Sequence, residues 1–281
     1  MILVTGASGA LGGLVAEELA ALGLAAGRDY LLGSRKPAED ALGRRVDFDD
    51  PAGLVDAFAG VDTLLLISAG AAEDDVVMAR HGAAIDAAAE AGVGHVVYTS
   101  VSGDGDHLTY ALAHRWTERR LRGSGLTWTI LRNGLYAEFL ASIAAPAPDG
   151  TVVAPLGDGR LAAVARRDLA EAAARVAADP APHAGRVHEL VGTAPLGGAE
   201  LAAALGTDYR PAGLEATRAA VAGSGTMLPF QVPMLLSTYS AIAGGFLDGG
   251  GVDGNALPEL LPHPPRSALE VYREAVGTVK W

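Results

Sequence analysis

Three glycines, Gly6, Gly9 and Gly12, recur at three-residue intervals directly after the apolar run MILVT at residues 1–5. Their type and spacing suit the capture of an anion. Gly6 allows a tight turn out of a strand, Gly9 lets the backbone approach a pyrophosphate, and Gly12 lets the following helix pack against the strand. The helix that opens at this turn would leave its first N–H groups free to face phosphate oxygens. A glycine-rich turn without a ligand is the bland alternative. The strand before it and the helical pattern after it argue for the dinucleotide reading.

Further candidates fall at the ends of later strands. Gly33-Ser34-Arg35-Lys36 closes the second strand, where an NAD-preferring site usually offers a carboxylate to the ribose. A hydroxyl and two cations stand here instead. The Arg35 guanidinium can grip a 2′-phosphate with two N–H groups and stack on adenine, which predicts NADPH over NADH. An exposed basic loop is the alternative. Asp47-Phe48 follows the third strand. The carboxylate could accept from the adenine amino group beside the ring, or Asp47 is simply a surface residue before a turn. The small residues at 67–70, Ser68 among them, would let the inner half of the cofactor lie close to the backbone.

Tyr98-Thr99-Ser100 ends the fifth strand, and Tyr110 and His114 follow at a spacing of four. Short-chain dehydrogenases pair such a tyrosine with a lysine that lowers the phenol pKa. A mostly neutral imidazole tunes a phenol far less. Tyr110 is therefore expected to begin a helix and not to transfer protons. His114 either faces the nicotinamide end of the cleft or lies on the helix surface. No metal site is expected, because the seven histidines are scattered without ligand spacing. A Gly-x-Ser-x-Gly elbow and a phosphate-loop lysine are likewise absent.

The elements that must carry these residues alternate. Strands are predicted over residues 1–5, 29–33, 44–47, 61–67, 93–100 and 126–131. Helices are predicted from residue 10, from Pro51 to residue 57 with Asp50 as N-cap, and over 73–91 and 108–122. That alternation means an α/β, Rossmann-type, doubly wound parallel sheet. A Pro/Ala linker at 144–150 leads to a strand at 151–154, a helix at 168–178 and a strand at 186–191. The predicted division is an NADP-binding domain over residues 1–135, rejoined by 151–191, and a smaller, mostly helical, substrate-covering lobe over 192–281. Residues 248–255 read as a flexible loop.

With 281 residues, half of them hydrophobic, a large core is possible. A net charge of −12 argues against a nucleic-acid partner and against anionic membrane surfaces. The absence of cysteine excludes disulfides, thiolate metal sites and cysteine nucleophiles. The uncharged stretch 219–247 is interrupted by glycine and proline, so it is not read as a membrane span. No signal peptide is read, and the cytoplasm is the expected location. Self-association into a homo-oligomer is left open.

Several stretches together resemble one family: TGASGALG at 5–12, LLLIS at 64–68, YTS at 98–100 and His114 followed by TE at 117–118. The stretch 124–138, with its RNGLYAE end, and 157–176, containing ARRDLA, extend the resemblance. The chain resembles the NmrA-like, atypical short-chain dehydrogenases, and is most similar to type 2 quinone oxidoreductases and triphenylmethane reductases. The resemblance implies that Gly6, Ser8, Gly9, Ala10 and Leu11 line the pyrophosphate and that Arg35 meets the adenine phosphate. It implies that Ser68 and Thr99 follow the cofactor inward, and that Asn133, Tyr136 and His114 border nicotinamide and acceptor. Arg119 departs from the family, which commonly carries lysine there, and 226–247 is more apolar than in the quinone reductases.

The function this implies is hydride transfer from NADPH to a quinone or similarly electron-poor conjugated acceptor. Such an acceptor suits a site without a Tyr/Lys pair, because the reduced product is a delocalised, weakly basic anion. An NADP-sensing regulator with little or no catalysis is the second reading; a sugar-nucleotide epimerase would need the strong tyrosine base this chain lacks. The acceptor is expected to be small, planar and apolar, covered by Phe230, Met234 and Tyr239, with the prolines at 229 and 233 breaking the cover into short helices. The alternative is that this stretch only forms the core of its lobe.

Overall fold

The computed structural model describes residues 1–37, 42–69, 72–104, 107–252 and 254–278. Gly70 and position 253 of the glycine-rich stretch, both part of the readings above, lie outside the described residues. The first half alternates as β1 (Ile2–Val4), α1 (Ala10–Ala21), β2 (Tyr30–Ser34), β3 (Gly43–Arg45), α2 (Leu54–Phe58), β4 (Thr63–Leu66), α3 (Asp74–Glu90), β5 (His95–Val101), α4 (Ala111–Arg122) and β6 (Thr127–Asn133). Then follow α5 (Ala137–Ile143), β7 (Val152–Ala154), β8 (Arg160–Leu161), α6 (Arg166–Ala178), β9 (Val187–Leu190) and β10 (Leu196–Gly197). The chain finishes with α7 (Gly198–Ala204), β11 (Tyr209–Pro211), α8 (Leu214–Ser224), α9 (Gln231–Ala243), α10 (Leu257–Leu260) and α11 (Ala268–Thr278).

Seven strands form one parallel sheet in the order β3-β2-β1-β4-β5-β6-β9. This is the doubly wound Rossmann-type sheet that the alternation implies. Side chains alternate across each strand, so neighbouring residues feed opposite layers. Val4, Leu65, Val97 and Leu131 pack with α1, α6 and α10 on one face. Leu3, Leu64, Leu66, Val96, Tyr98 and Ile130 pack with α2, α3 and α4 on the other. Strand order reverses between β1 and β4, and ligands of open α/β sheets bind outside the carboxyl ends of the strands at such a reversal.

A second core joins α5, β7, β8, α7, α9 and α11 beside that edge. Val152–Ala154 pairs with β11 and not with the main sheet, so the chain rejoins the sheet layers with α6 and β9. Two further local expectations change. Pro51 opens a short 3-10 turn before α2, and Asp50 caps nothing there because its carboxylate pairs with Arg45 at 2.7 Å. Pro233 does not break the apolar stretch. It sits in the first turn of the 13-residue α9, where its missing N–H has no intrahelical acceptor to lose. Among the described residues no helix is long and apolar enough to cross a membrane.

Candidate functional site

The glycine turn is built as a bare anion cradle. Gly6 has a φ of +61°, which turns the chain sharply out of β1. A Cβ on Gly12 would stand 2.3 Å from the Gly6 carbonyl oxygen, so only glycine lets α1 start so close to the strand. The first backbone bond into the helix is Gly13 N–H to Gly9 C=O at 2.9 Å, which leaves the amides of Ala10, Leu11 and Gly12 without a helical acceptor. Gly9 provides no side-chain cap and no acidic residue stands in the first turn. Gly6, Ser8, Gly9 and Ala10 are exposed. Leu11 is buried in the core under α1, so only its backbone can face a phosphate. These features fit the pyrophosphate of a dinucleotide.

Toward the adenine end, Arg35 is exposed just beyond β2, and its charge helps hold the Asp49 carboxyl below the usual range, after the stronger Arg80 hydrogen bond. Asp47 is partly engaged within the protein, since Arg45 pairs with one carboxylate oxygen at 3.0 Å and the Asp49 amide bonds the other at 3.2 Å. Phe48 lines a recess beside α3 together with Arg80 and Val76.

Further along the strand ends a cavity of about 510 Å³ opens. Ser68, Thr99, Asn133 and Tyr136 line its sheet side, His114 and Tyr110 its α4 side. Ser68 Oγ and Asn133 Oδ1 are buried without a hydrogen-bond partner, two polar atoms that a ligand would satisfy. Thr99 has a different task, accepting the Ser68 amide at 3.0 Å and so fixing that loop. Tyr136 stacks under the Arg166 guanidinium at 4.6 Å, and Glu138 accepts the Arg166 amide at 3.2 Å, which orients the turn after β6. Tyr110 lines the cavity, but its hydroxyl meets Thr238 of α9 at 3.2 Å. Thr238 spends its own proton on the Met234 carbonyl, so the Tyr110 proton goes into tying α9 to α4.

The cover is α9, and it has two faces. Gln231, Met234, Leu235 and Thr238, at helical spacing, face the cavity with Met227 from the preceding turn. Val232, Leu236 and Tyr239 point the other way into the second core. Two of the three expected cover residues are therefore misplaced. Tyr239 is 5 % exposed and donates to the Ile143 carbonyl at 2.8 Å. Phe230 lines a separate recess with Pro233 and Glu73, sharing only Met234 and Tyr110 with the cavity. Opposite faces of one helix separate them, and the stretch carries no charged residue to mark which face is which.

Glu118 and Arg132 are the buried frame beneath this site. Glu118 accepts from Ser100 at 2.7 Å, Arg115 at 2.7 Å and Arg132 at 2.8 and 2.9 Å, and Arg132 bonds Glu189 at 2.9 Å. Four elements, α4, β5, β6 and β9, are locked together, which gives Glu118 of the TE stretch and Arg132 of the RNG stretch a structural task, while Asn133 beside Arg132 lines the cavity. In ARRDLA, Asp168 likewise accepts the Arg266 amide at 2.7 Å and fastens the segment before α11. Arg119 is exposed on α4.

Sequence reasoning missed two buried rings. His81 of α3 is fully buried; it accepts the Ala69 amide on Nε2 at 2.9 Å and meets Thr117 through Nδ1 at 2.8 Å. Burial pulls its pKa down to about 3, with the charges of His114 and Arg80 acting the same way. Tyr98, also fully buried, bonds His114 Nδ1 at 2.8 Å, and its phenol pKa is raised by burial. Burial likewise takes His114 down to about 4. A lone histidine in an alanine-rich helix was the only sequence signal for His81. Among the described residues no cluster of histidine and carboxylate side chains could hold a metal ion.

Comparison with known proteins agrees with this geometry. The family described as NAD(P)H-binding matches residues 6–180. Quinone oxidoreductase 2 of Escherichia coli K12 is 36% identical over 283 residues, covering 96% of each chain. Its NADPH-dependent structure, complexed with NADPH, superposes with a TM-score of 0.85 at 34% identity, over 98% of this chain and 99% of that one. The Citrobacter sp. triphenylmethane reductase complexed with NADP(H) superposes with a TM-score of 0.86 at 28% identity, again over 98% and 99%.

Proposed function

The chain belongs to the NAD(P)H-binding, NmrA-like reductase family, and from that premise we propose that it is an NADPH-dependent reductase of quinones or similarly conjugated, electron-poor acceptors. One observation carries the acceptor class: the cavity at the strand ends has no lysine, arginine or carboxylate among its described lining residues. Reducing an isolated ketone creates a strongly basic alkoxide that needs a positioned acid. Reducing a quinone creates a delocalised anion that needs only a hydrogen-bond donor and water. Apolar walls from Leu135, Phe139 and Met234 suit a flat ring better than a polar sugar.

NADPH, bound along the glycine turn, supplies the hydride. The residues that hold it are proposed as Gly6, Ser8, Gly9, Ala10, the Leu11 amide and Gly12 at the pyrophosphate. Arg35 takes the 2′-phosphate, Phe48 borders the adenine, and Ser68 and Asn133 offer their unpaired oxygens to the inner half. Asp47, although paired with Arg45, keeps acceptor positions that could meet the adenine amino group. His114, Asn133 and Tyr136 border the reacting ring, with Met234 above it. The protein's contribution is to hold nicotinamide and acceptor in contact and to keep bulk water off them.

The test is a panel of quinones and simple ketones mixed with the protein and NADPH, followed by loss of nicotinamide absorbance. Steady oxidation with quinones and none with ketones is expected. Tight NADPH binding without turnover of any acceptor would overturn the enzyme reading in favour of NADP sensing.

A further inference from the structure

We propose that Tyr98 is a positioning residue: it fixes His114 in the tautomer with its proton on Nε2, so that His114 meets the acceptor as a neutral hydrogen-bond donor and keeps its proton. The inference rests on the reductase reading of the cavity and adds a role to a residue outside it.

The argument begins with the phenol. Tyr98 is fully buried, and a buried hydroxyl must place its one proton on an acceptor. Its hydrogen bond is to His114 Nδ1, at 2.8 Å. The hydroxyls of Thr117 and Ser68 lie near enough to the phenol to oppose the rise in its pKa, but the hydrogen bond at 2.8 Å is the one to His114 Nδ1. Thr117 donates to the Ala113 carbonyl at 2.7 Å. It also receives the Nδ1 proton of His81, because His81 Nε2 is already accepting the Ala69 amide. Ser68 Oγ is unpaired. The phenol therefore donates to His114, and a neutral imidazole whose Nδ1 accepts carries its proton on Nε2. That second nitrogen has no protein partner among the described residues, and the ring lines the cavity.

The surroundings keep the ring neutral. Tyr98 faces it from β5 and His81 from α3, while Arg115 and Glu118 flank it on α4. Burial and Arg115 oppose a positive ring, and Glu118 favours it less strongly. No charged residue faces it from α9 or from the turn after β6 among the cavity's described lining. The chemistry balances without His114 giving up a proton. The acceptor gains two electrons and one hydrogen from the reduced nicotinamide, and the oxygen that becomes negative takes one proton from water. Nε2–H stabilises that oxygen as its charge develops, as a fixed neutral donor can.

Two measurements decide the matter. Long-range ¹H–¹⁵N spectra of the labelled protein, with and without NADP⁺, should show Nδ1 of His114 unprotonated and Nε2 protonated from pH 5 to 9. They read the tautomer without turnover, so their failure is distinct from failure of the reductase reading. In Tyr98→Phe the tautomers should mix, and with no donor on Nδ1 the ring should take up a proton more readily than in the parent, where burial holds it to about 4. Its kcat should fall by about tenfold, less than the roughly 10²–10³ for losing a whole oxyanion donor, with KM for NADPH unchanged and a new acid limb in the pH profile. His114→Gln places an amide N–H near the Nε2 position and cannot pass on a proton. It should keep kcat within about tenfold of the parent, whereas His114→Ala loses on the order of 10²–10³. Should His114→Gln be as slow as His114→Ala, or Nδ1 prove protonated in the parent, the proposal is wrong. The glutamine and alanine pair and the parent spectra suffice if Tyr98→Phe does not fold.

Discussion

Gly12→Ala and Gly9→Ala should fail in different ways, and the difference tests whether the glycine turn is a cofactor cradle. At Gly12 an added methyl would stand 2.3 Å from the Gly6 oxygen and 2.8 Å from Ala7 Cα and the Gly6 carbonyl carbon. All three are backbone atoms, so no side chain can move aside and α1 must shift by about 1 Å to restore ordinary contact. That shift works against Leu11, Val15 and Leu19, which α1 buries in the core. A backbone clash this close belongs toward the upper end of the about 1–3 kcal/mol that overpacking costs, roughly 2–3 kcal/mol, and alanine's better helix propensity returns about 1 kcal/mol. The net loss of roughly 1–2 kcal/mol should lower Tm by about 2–8 °C. NADPH binding should fall as well, since the amides of the first turn move with the helix. At Gly9 the methyl meets only the Gly6 oxygen, at 3.2 Å, and the φ of −85° suits alanine. The fold should lose less than about 1 kcal/mol, the scale of a poorer N-cap. The methyl would still stand on the exposed turn where a pyrophosphate must approach, so NADPH affinity should drop at least about tenfold, or 1.4 kcal/mol. Thermal melts and a fluorescence titration with NADPH measure both quantities. A Gly9→Ala protein that binds NADPH like the parent would refute the cradle, and a Gly12→Ala protein that melts like the parent would refute the packing argument.

Arg35→Ala should weaken NADPH binding by about 1–3 kcal/mol and NADH binding much less, because only NADPH offers a phosphate to the lost guanidinium; equal losses would show that Arg35 does not read it. Met234→Ala should raise the apparent KM for a bulky quinone more than for a small one, while Phe230→Ala, in the neighbouring recess, should leave both nearly unchanged. Steady-state kinetics on two quinones of different size separate the residues, and identical behaviour would remove α9 as the cover. His81 makes folding sensitive to acid. Its pKa is depressed to about 3 in the folded chain, so its contribution is fully present above the unfolded value of 6.5 and is lost as pH falls. At 1.36 kcal/mol per unit, about 2 kcal/mol should disappear between pH 7.5 and 5. Urea midpoints across that range should fall less steeply in His81→Gln, with the contribution of His114, also depressed by burial, remaining, and an unchanged slope would place the sensitivity elsewhere.

The sheet was readable because its central strands are covered on both faces and so write themselves as apolar runs, such as residues 64–67. The glycine turn was readable because close backbone approach admits no substitute for glycine at Gly12. The second core was less legible for the opposite reason. Its short strands β7 and β11 are three residues each and pair across 55 or more residues of sequence, so no local period announces them. Asp47 shows a third kind of limit. An acidic residue after a strand can meet a ligand or a neighbouring arginine, and only the position of Arg45 in space shows the second contact.

His114 was legible and Tyr98 was not, although one hydrogen bond joins them. The spacing from Tyr110 to His114 marks a helix, and a partner inferred from spacing alone must lie along that helix. Along it Tyr110 is occupied with Thr238, and the partner comes from β5, packed beneath α4. A strand tyrosine in a run such as HVVYTSV reads as core filling, and Tyr98 does fill the core: it packs against His81 edge-on at 5.5 Å. Its one polar atom nonetheless reaches the site. The chain thus departs from the Tyr/Lys arrangement by more than a substitution. On the proposed reductase reading, a buried phenol and a neutral imidazole stand where a lysine would charge the site, and an uncharged site would favour acceptors that can delocalise what they receive.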